Sequence, residues 1–164
     1  MKQKLAVKSP GLKVIKREYR RLKYKFDFFI SYATEDAYEI IVPLAREMKK
    51  FSITYFLDLE QIHCGESLSD KLSFGITRSK YTLAIITQKS IKKPWVRAEL
   101  HTVLHRQISS GQTKLLPVIS GTSRQVSRIL EIMPLLRDLH YIKWHNNPHE
   151  VAGELRKILD KKHS

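Results

Sequence analysis

The stretch FDFFISY, residues 26–32, is a short apolar and aromatic run that predicts a buried β-strand. Four further apolar runs of similar length follow it, at residues 53–57, 81–87, 115–119 and 139–144. Segments with helical spacing of apolar side chains separate or follow these runs, at residues 36–50, 69–78, 90–109 and 150–161, with a shorter helical region before the fifth run. Short buried strands that alternate with helices are typical of a parallel sheet covered by helices on both faces. Right-handed crossovers then predict a doubly wound α/β fold.

Length and composition agree with a single domain of this kind. The chain has 164 residues, of which 42% are hydrophobic and 28% charged, and these values exclude bulk disorder. Cys64 is the one cysteine, so an internal disulfide is excluded, and the lack of a secretory leader leads us to expect a cytoplasmic protein. No apolar run approaches the roughly 20 residues that cross a bilayer, so no membrane-spanning segment is expected.

The formal net charge of +14 is concentrated at the start of the chain. Residues 1–25 hold ten basic side chains and one acidic side chain. The same residues carry a helically spaced apolar stripe that consists of Leu12, Ile15, Tyr19 and Leu22. We therefore expect residues 1–25 to be a basic, partly helical N-terminal arm and residues 26–164 to be the folded domain. Such an arm suits a membrane surface, nucleic acid or its own domain, and no RNA-binding or zinc-finger signature supports nucleic acid.

Several classes of enzyme are excluded by motifs that the chain lacks. It contains no G-x-G-x-x-G dinucleotide loop, no G-x-x-x-x-G-K-[ST] phosphate loop and no G-x-S-x-G nucleophile elbow. His101 and His105 have the i, i+4 spacing of a metal-binding pair, but no cysteine or carboxylate falls in helical register to complete the ligand set. We therefore expect a solvated helix face there and no metal site.

A tryptophan and a glutamate one helical turn apart form the most informative pair in the chain. The core stripe of the helix predicted after the third strand consists of Val96, Leu100, Val103 and Leu104. Trp95 and Glu99 lie side by side at one edge of this stripe, so an indole and a carboxylate are expected together where the core meets solvent. A boundary tryptophan beside a solvated glutamate would explain the same pattern without any ligand.

The position of this pair within the predicted sheet favours a binding site. Open α/β sheets bind ligands at the carboxyl ends of their strands, at the point where the strand order reverses. If the order is 2-1-3-4-5, that crevice lies between the first and third strands. Residues 31–34, which leave the first strand, then converge with the segment that leads from the third strand to Trp95 and Glu99. The polar loop at 58–68 borders them.

Three stretches of this chain, taken in order, resemble the motifs of the Toll/interleukin-1 receptor (TIR) domain family. They are FDFFISY at 26–32, FLD at 56–58 followed by GESL at 65–68, and the W-x-x-x-E pattern of Trp95 and Glu99. The resemblance covers about residues 26–160. It implies a flavodoxin-like, five-stranded parallel sheet in the order 2-1-3-4-5. It also implies self-association through the loop at 59–68, with another TIR-containing protein as a further partner.

The enzymatic members of this family cleave the nicotinamide–ribose bond of NAD⁺ and release nicotinamide with ADP-ribose or a cyclic ADP-ribose isomer. The resemblance therefore implies an NAD⁺ glycohydrolase or cyclase in immune-type signalling, either anti-phage defence or host interference, with NAD⁺ as substrate and no cofactor. The alternative is a non-catalytic TIR adaptor or scaffold that acts by homotypic association. Glu99 favours the enzyme, because scaffold members usually lack a glutamate one turn after the tryptophan.

The resemblance implies a role for each residue that matches a family motif. Glu99 matches the catalytic glutamate. Further positions match substrate-binding residues: Phe56 and Trp95 as aromatic walls, Ser31, Tyr32 and Ala33 on the ribose and phosphate side, Asp58 at the end of the second motif, and Ser67 in the loop after it. Some members carry arginines directly after the Ser-Tyr of the first motif, whereas this chain has Ala33 and Thr34. Phosphate contacts must then come from backbone N–H groups or from other basic residues.

Overall fold

Five parallel strands form one sheet in the computed structural model, which describes residues 24–57, 75–110 and 114–161. Their bounds are β1 Phe26–Ser31, β2 Tyr55–Leu57, β3 Ser79–Ile86, β4 Lys114–Ser120 and β5 Ile142–Trp144. All neighbouring pairs are parallel, and the order is β2-β1-β3-β4-β5. The predicted flavodoxin-like fold, a doubly wound sheet in the order 2-1-3-4-5, is confirmed.

Helices cover both faces of this sheet, as predicted. The longest helices in the described part of the chain are α1 Val42–Lys50, α2 Pro94–Ser110, α3 Ser123–Ile132 and α4 Pro148–Lys161. Shorter 3₁₀ turns lie at Thr34–Asp36, Ser90–Lys92 and Pro134–Asp138, a π turn at Ala37–Ile41, and a helical turn at residues 75–78. Apolar side chains of α1 and α4 share one buried cluster, and those of α2 and α3 share another.

The strands contribute to both clusters because successive side chains of a strand point to opposite faces. In β1, Phe28 and Ile30 belong to the cluster under α1 and α4, whereas Phe29 belongs to the cluster under α2 and α3. In β3, Leu83 belongs to the cluster under α1 and α4, and Ala84 belongs to the cluster under α2 and α3. A strand that is buried on both faces has a continuous apolar run, and such runs identified these strands in the sequence.

The first predicted helix differs from the observed one. It was expected over residues 36–50, but the chain first forms the 3₁₀ and π turns, and regular α-helix begins only at Val42. Pro43 lies in the first turn of α1, where its missing N–H costs no intrahelical hydrogen bond. The proline therefore favours a helix start at this position over a continuous helix from residue 36.

Other element boundaries also differ from the predicted ones. The second strand, expected over residues 53–57, spans only Tyr55–Leu57. The helix expected from residue 90 begins at Pro94. A proline disfavours helical conformation in the residue before it, and Lys93 is accordingly extended. The strand expected over 139–144 spans only Ile142–Trp144, since its pairing with β4 involves just these three residues.

A carboxylate at the start of β1 ties three segments of the sheet together. Asp27 accepts hydrogen bonds from the Thr54 N–H at 2.9 Å, from the Thr54 hydroxyl at 2.7 Å and from the Lys80 ammonium at 2.6 Å. Burial alone would raise the pKa of this carboxyl, but the hydrogen bonds from Lys80 and Thr54 outweigh it and lower the pKa. Asp27 therefore stays ionised and fixes β1 against the starts of β2 and β3.

Gly75→Ala is expected to destabilise the protein by about 1–3 kcal/mol, because overpacking displaces neighbouring groups. A Cβ at Gly75 would clash with the ring of Phe29, which is buried and stacked against Phe56 with ring centroids 6.0 Å apart. Gly153→Ala in α4 is the matched control, since its Cβ would meet Phe51 at an ordinary 3.8 Å and alanine is the better helix former. Urea unfolding measures both changes, and a Gly75→Ala variant as stable as the wild type would contradict this packing.

Several predictions fall outside the described residues. They concern the arm before Tyr24, Asp58, the self-association loop at 59–68 and Ser67 within it. Among the residues that the structure describes, no helix combines the length and the apolar character needed to span a membrane.

Candidate active site

The carboxyl ends of β1 and β3 form the edge at which the sequence analysis placed a crevice. Ser31 is the last residue of β1, and Glu99 lies in the second turn of α2, the helix that follows β3. The Ser31 hydroxyl donates a hydrogen bond to Glu99, with an Oγ–Oε1 distance of 2.5 Å. The structure thus brings these two predicted site residues together, while their roles in binding or catalysis stay predictions.

Glu99 is held in place by the packing of α2. The predicted core stripe of this helix is buried and consists of Val96, Leu100, Val103 and Leu104. The stripe belongs to the cluster that also contains Phe29 of β1 and Ile86 of β3. Because this stripe anchors α2 in the cluster and Ser31 donates a hydrogen bond to Glu99, the carboxylate is fixed next to the end of β1.

Hydrogen bonds also fix the segment that leads from β3 into α2. The Ser90 hydroxyl accepts from the Thr87 N–H at 2.8 Å, and the Thr87 hydroxyl accepts from the Ser90 N–H at 3.0 Å. The Arg97 guanidinium donates to the carbonyls of Ile91 and Lys92 at 3.0 and 2.8 Å. These hydrogen bonds therefore fix the backbone between the end of β3 and the first turn of α2.

The Glu99 carboxylate is almost dry. The residue is 8% exposed, and burial raises the pKa of its carboxyl above the ordinary value of 4.5, while the Ser31 hydrogen bond opposes that rise. Electrostatic interactions are stronger in a poorly hydrated site than in water. A cation in the crevice would therefore interact strongly with the ionised carboxylate and would favour that form.

Trp95 lies one turn before Glu99 but is much more exposed, at 39%. The helical spacing of the sequence predicted that the indole and the carboxylate lie together at the boundary between core and solvent. The structure instead places the indole outside and the carboxylate inside, because the Ser31 hydroxyl satisfies the buried Glu99. An exposed aromatic face next to a buried anion suits a planar, positively charged ring.

Phe56 lies on the same face of the sheet as Ser31. It pairs with Phe29 across β1 and β2, and Ser31 follows Phe29 by two positions, so the three side chains point toward the side covered by α2. Phe56 is partly buried and contacts the rings of Phe26 and Phe29 at centroid distances of 5.5 and 6.0 Å. It belongs to an aromatic cluster on the β2 side of the candidate site.

Two other predicted site residues, Tyr32 and Ala33, directly follow β1. Tyr32 packs against the cluster under α1 and α4, on the opposite face of the sheet from Glu99. Ala33 is buried, and its carbonyl accepts a hydrogen bond from the Asp36 N–H at 2.9 Å. The roles of Tyr32 and Ala33 in substrate binding stay predictions.

Three charged residues at the same edge were missed in the sequence analysis. Glu35 and Asp36 follow β1, and Lys93 directly precedes α2. The Lys93 ammonium binds Glu35, with Nζ 2.6 Å from Oε1 and 2.7 Å from Oε2, and lies 5.7 Å from the centroid of the Trp95 ring. The sequence shows only that two of these residues follow a strand and that the third precedes a helix. Their pairing depends on the 3₁₀ turn after β1, which the sequence pattern did not predict.

Asp36 is a second buried carboxylate near this edge. It is 7% exposed, and its Oδ2 has no hydrogen-bond partner among the described residues. Burial and the nearby charge of Glu35 raise its pKa to about 6, although a hydrogen bond with Thr87 and the charge of Lys93 oppose the rise. Asp36 therefore retains a proton more readily than an ordinary aspartate does.

The two histidines with metal-pair spacing lie at the surface. His101 and His105 are both exposed on α2, as expected for a solvated helix face. Within residues 24–57, 75–110 and 114–161, no group of His, Cys, Asp or Glu is arranged to hold a metal ion.

A family model described as the TIR domain matches residues 28–159, which extend from β1 to α4. The chain belongs to the TIR domain family. The matched range includes both segments that meet in the crevice, and it confirms the resemblance drawn from the three motifs.

Bacterial relatives of this TIR domain carry names that refer to NAD⁺ chemistry. The chain is 27% identical to NAD(+) hydrolase TcpC of Escherichia coli O6:H1 over 138 residues, which are 81% of this chain and 43% of that protein. It is also 27% identical to the 2′ cyclic ADP-D-ribose synthase AbTIR of Acinetobacter baumannii over 136 residues, 82% of this chain and 49% of that protein. The chain spans about half the length of these curated relatives.

Solved structures agree with the family assignment at the level of the fold. The TIR domain of the Toll-related receptor TRR-2 from Hydra magnipapillata matches this TIR domain with a TM-score of 0.60 and 17% identity, covering 84% of this chain and 98% of that chain. At this identity the likeness concerns the fold alone.

Proposed function

We propose that this TIR domain cleaves the nicotinamide–ribose bond of NAD⁺ and releases nicotinamide together with ADP-ribose or a cyclic ADP-ribose isomer. The observation that carries the proposal is the buried Glu99 carboxylate, which is hydrogen-bonded to Ser31 and lies one turn from the exposed Trp95. The names of the bacterial relatives, NAD(+) hydrolase and 2′ cyclic ADP-D-ribose synthase, support a reaction of this class. NAD⁺ is the substrate, and the proposal requires no cofactor.

The chemistry of this bond explains why one carboxylate suffices. Nicotinamide leaves from a positively charged ring as a neutral molecule and takes the bonding electron pair with it, so no general acid is needed. The ribose carbon becomes positively charged, as in the oxocarbenium-like transition state of glycoside cleavage. An ionised Glu99, fixed in a poorly hydrated site, stabilises the charge that develops on the ribose.

A nucleophile then captures the ribose carbon. Water adds its oxygen, releases a proton and gives ADP-ribose, whereas a nucleophilic group of the same substrate molecule gives a cyclic isomer. Ser31 holds Glu99 in one orientation through both steps. The exposed face of Trp95 binds the planar nicotinamide ring, and the partly buried Phe56 supports the β2 side of the site.

The acid limb of the pH–rate profile is expected to report Glu99. Because protonation removes the charge that stabilises the ribose cation, kcat/KM falls at low pH with an apparent pKa above 4.5, in the direction set by burial. Ser31→Ala removes a hydrogen bond that lowers the Glu99 pKa, so the acid limb of this variant moves to higher pH. An acid limb that stays in place or moves to lower pH in Ser31→Ala would contradict the assignment.

The main alternative is a non-catalytic TIR adaptor or scaffold that acts by homotypic association. We propose self-association for the enzyme as well, in an immune-type signalling role, through the loop at 59–68 that lies outside the described residues. Nicotinamide release and oligomeric state, measured in parallel over about a hundredfold range of protein concentration, separate the two functions.

The enzyme is expected to release nicotinamide at a rate that rises more than linearly with protein concentration. A rate strictly proportional to concentration would contradict activation by self-association. A domain that associates without consuming NAD⁺ at any concentration would overturn the proposed activity in favour of the scaffold.

A further inference from the structure

The ion pair between Glu35 and Lys93 spans the same crevice as the hydrogen bond between Ser31 and Glu99. Glu35 follows β1 and Lys93 follows β3, so each contact joins the two neighbouring strands beyond their carboxyl ends. The inner contact involves the buried Glu99, whereas the side chains of Lys93 and Glu35 are 37% and 35% exposed. The outer ion pair is therefore more accessible to a ligand from solvent than the inner contact is.

Lys93 also lies next to the aromatic face proposed to bind nicotinamide. Its Nζ is 5.7 Å from the centroid of the Trp95 ring. Its backbone is anchored, because the Lys93 N–H donates to the Ser90 carbonyl at 3.0 Å and Pro94 starts α2 directly after it. A flexible side chain on a fixed backbone thus places a cation at the mouth of the site.

The Glu35 carboxylate shows what kind of group the Lys93 ammonium binds. Both carboxylate oxygens lie close to Nζ, at 2.6 and 2.7 Å, which is the geometry of charge-assisted hydrogen bonds to an oxyanion. A half-exposed ion pair contributes little to stability, so Lys93 can exchange this oxyanion for another at small cost. The phosphates of the proposed substrate lack an assigned partner, since Ala33 and Thr34 stand where some family members carry arginines.

We infer that Lys93 binds the pyrophosphate of the dinucleotide substrate, and that Glu35 holds Lys93 as an internal competitor when the substrate is absent. The inference rests on the proposed function and names the residue that recognises the phosphates. On binding, Nζ exchanges the Glu35 carboxylate for a phosphate oxygen and leaves the face of Trp95 to the nicotinamide ring. Lys93 therefore raises the affinity for the dinucleotide, and Glu35 lowers it.

Titration calorimetry with ADP-ribose tests this exchange without turnover, because ADP-ribose contains the pyrophosphate but no nicotinamide. Lys93→Gln is expected to weaken ADP-ribose binding about tenfold or more, as expected for loss of a hydrogen bond to a charged group. Lys92→Gln is the matched control, since it removes the same charge from the adjacent exposed residue, and it is expected to weaken binding by less than about threefold. Equal losses in the two variants would overturn the inference.

Glu35→Gln separates competition for Lys93 from a purely structural ion pair. Removal of the competing carboxylate is expected to tighten ADP-ribose binding about threefold or more, and this gain is expected to vanish in the double variant with Lys93→Gln. Unchanged or weaker binding by Glu35→Gln would overturn the inference, as would failure of the wild-type domain to bind ADP-ribose.

The binding experiment and the activity assay have separate outcomes. A domain that binds ADP-ribose with this pattern but releases no nicotinamide from NAD⁺ would retain the phosphate site and refute the proposed function. If the domain releases nicotinamide but Lys93→Gln leaves its affinity for ADP-ribose unchanged, the proposed function stands and the phosphate site is refuted.

Discussion

Glu99→Gln is expected to lower the turnover of NAD⁺ by about a hundredfold or more, as does removal of one preorganised electrostatic group from other active sites. Glutamine has nearly the shape of glutamate, and its amide oxygen still accepts the Ser31 hydrogen bond, so the fold remains intact. The variant lacks only the negative charge beside the developing ribose cation. The loss therefore falls on kcat more than on KM.

Steady-state nicotinamide release measures this loss, with Glu131→Gln as the matched control. Glu131 is exposed on α3, so its replacement removes one negative charge and leaves the contacts of Glu99 unchanged. Circular dichroism of both variants checks the fold. Activity of Glu99→Gln within a few-fold of the wild type would remove Glu99 from the mechanism.

Asp36→Asn is expected to remove a pH-dependent loss of about 3 kcal/mol from the free energy of unfolding, since one pKa unit corresponds to about 1.4 kcal/mol. Asp36 has a pKa of about 6 in the folded protein, against an ordinary value of 3.8. Its pKa is raised on folding, so between these two values the folded state binds more protons than the unfolded state. The stability that this group contributes is fully present below the lower pKa and is lost as the pH rises through the upper one. Asparagine does not titrate and removes that loss.

Urea unfolding of the wild type and Asp36→Asn at several pH values between about 4 and 7 measures the effect. The free energy of unfolding of the variant, relative to the wild type, is expected to increase by about 2 kcal/mol over this range, because at pH 4 the unfolded carboxyl is already more than half ionised. Comparison across pH cancels the constant cost of an amide beside Thr87. A relative stability that is independent of pH, or that decreases as the pH rises, would contradict the raised pKa of Asp36.

The sheet was predictable because each strand has its own continuous apolar run. In the run FDFFISY at 26–32, residues 27–30 are buried in β1 and include both faces of the sheet, and such a run is short for a helix. The strand order came from the family motifs rather than from the runs themselves. Helix starts were less predictable. Apolar periodicity extends back to residue 90, but Pro94 disfavours helical conformation in the residue before it, so the helix begins at the proline.

The candidate site was predictable where it depends on topology and unpredictable where it depends on local turns. Ser31 and Glu99 meet because the carboxyl ends of neighbouring parallel strands share one edge. The position of Tyr32 on the other face follows from the alternation of side chains along a strand, which motif matching alone does not consider. The ion pair of Glu35 and Lys93 depends on the 3₁₀ turn after β1, and no pattern in the sequence specifies it.

Mass analysis of the products formed from NAD⁺ is the decisive test of the claim that this TIR domain cleaves the nicotinamide–ribose bond. The purified protein, at a concentration that permits self-association, is incubated with NAD⁺ that carries a heavy isotope in its nicotinamide ring. The predicted result is one labelled nicotinamide for each NAD⁺ consumed, with an equal amount of unlabelled ADP-ribose or its cyclic isomer, and a strongly reduced yield of both with Glu99→Gln. Intact NAD⁺ in the presence of folded protein, or labelled nicotinamide mononucleotide with AMP from cleavage of the pyrophosphate, would contradict the claim.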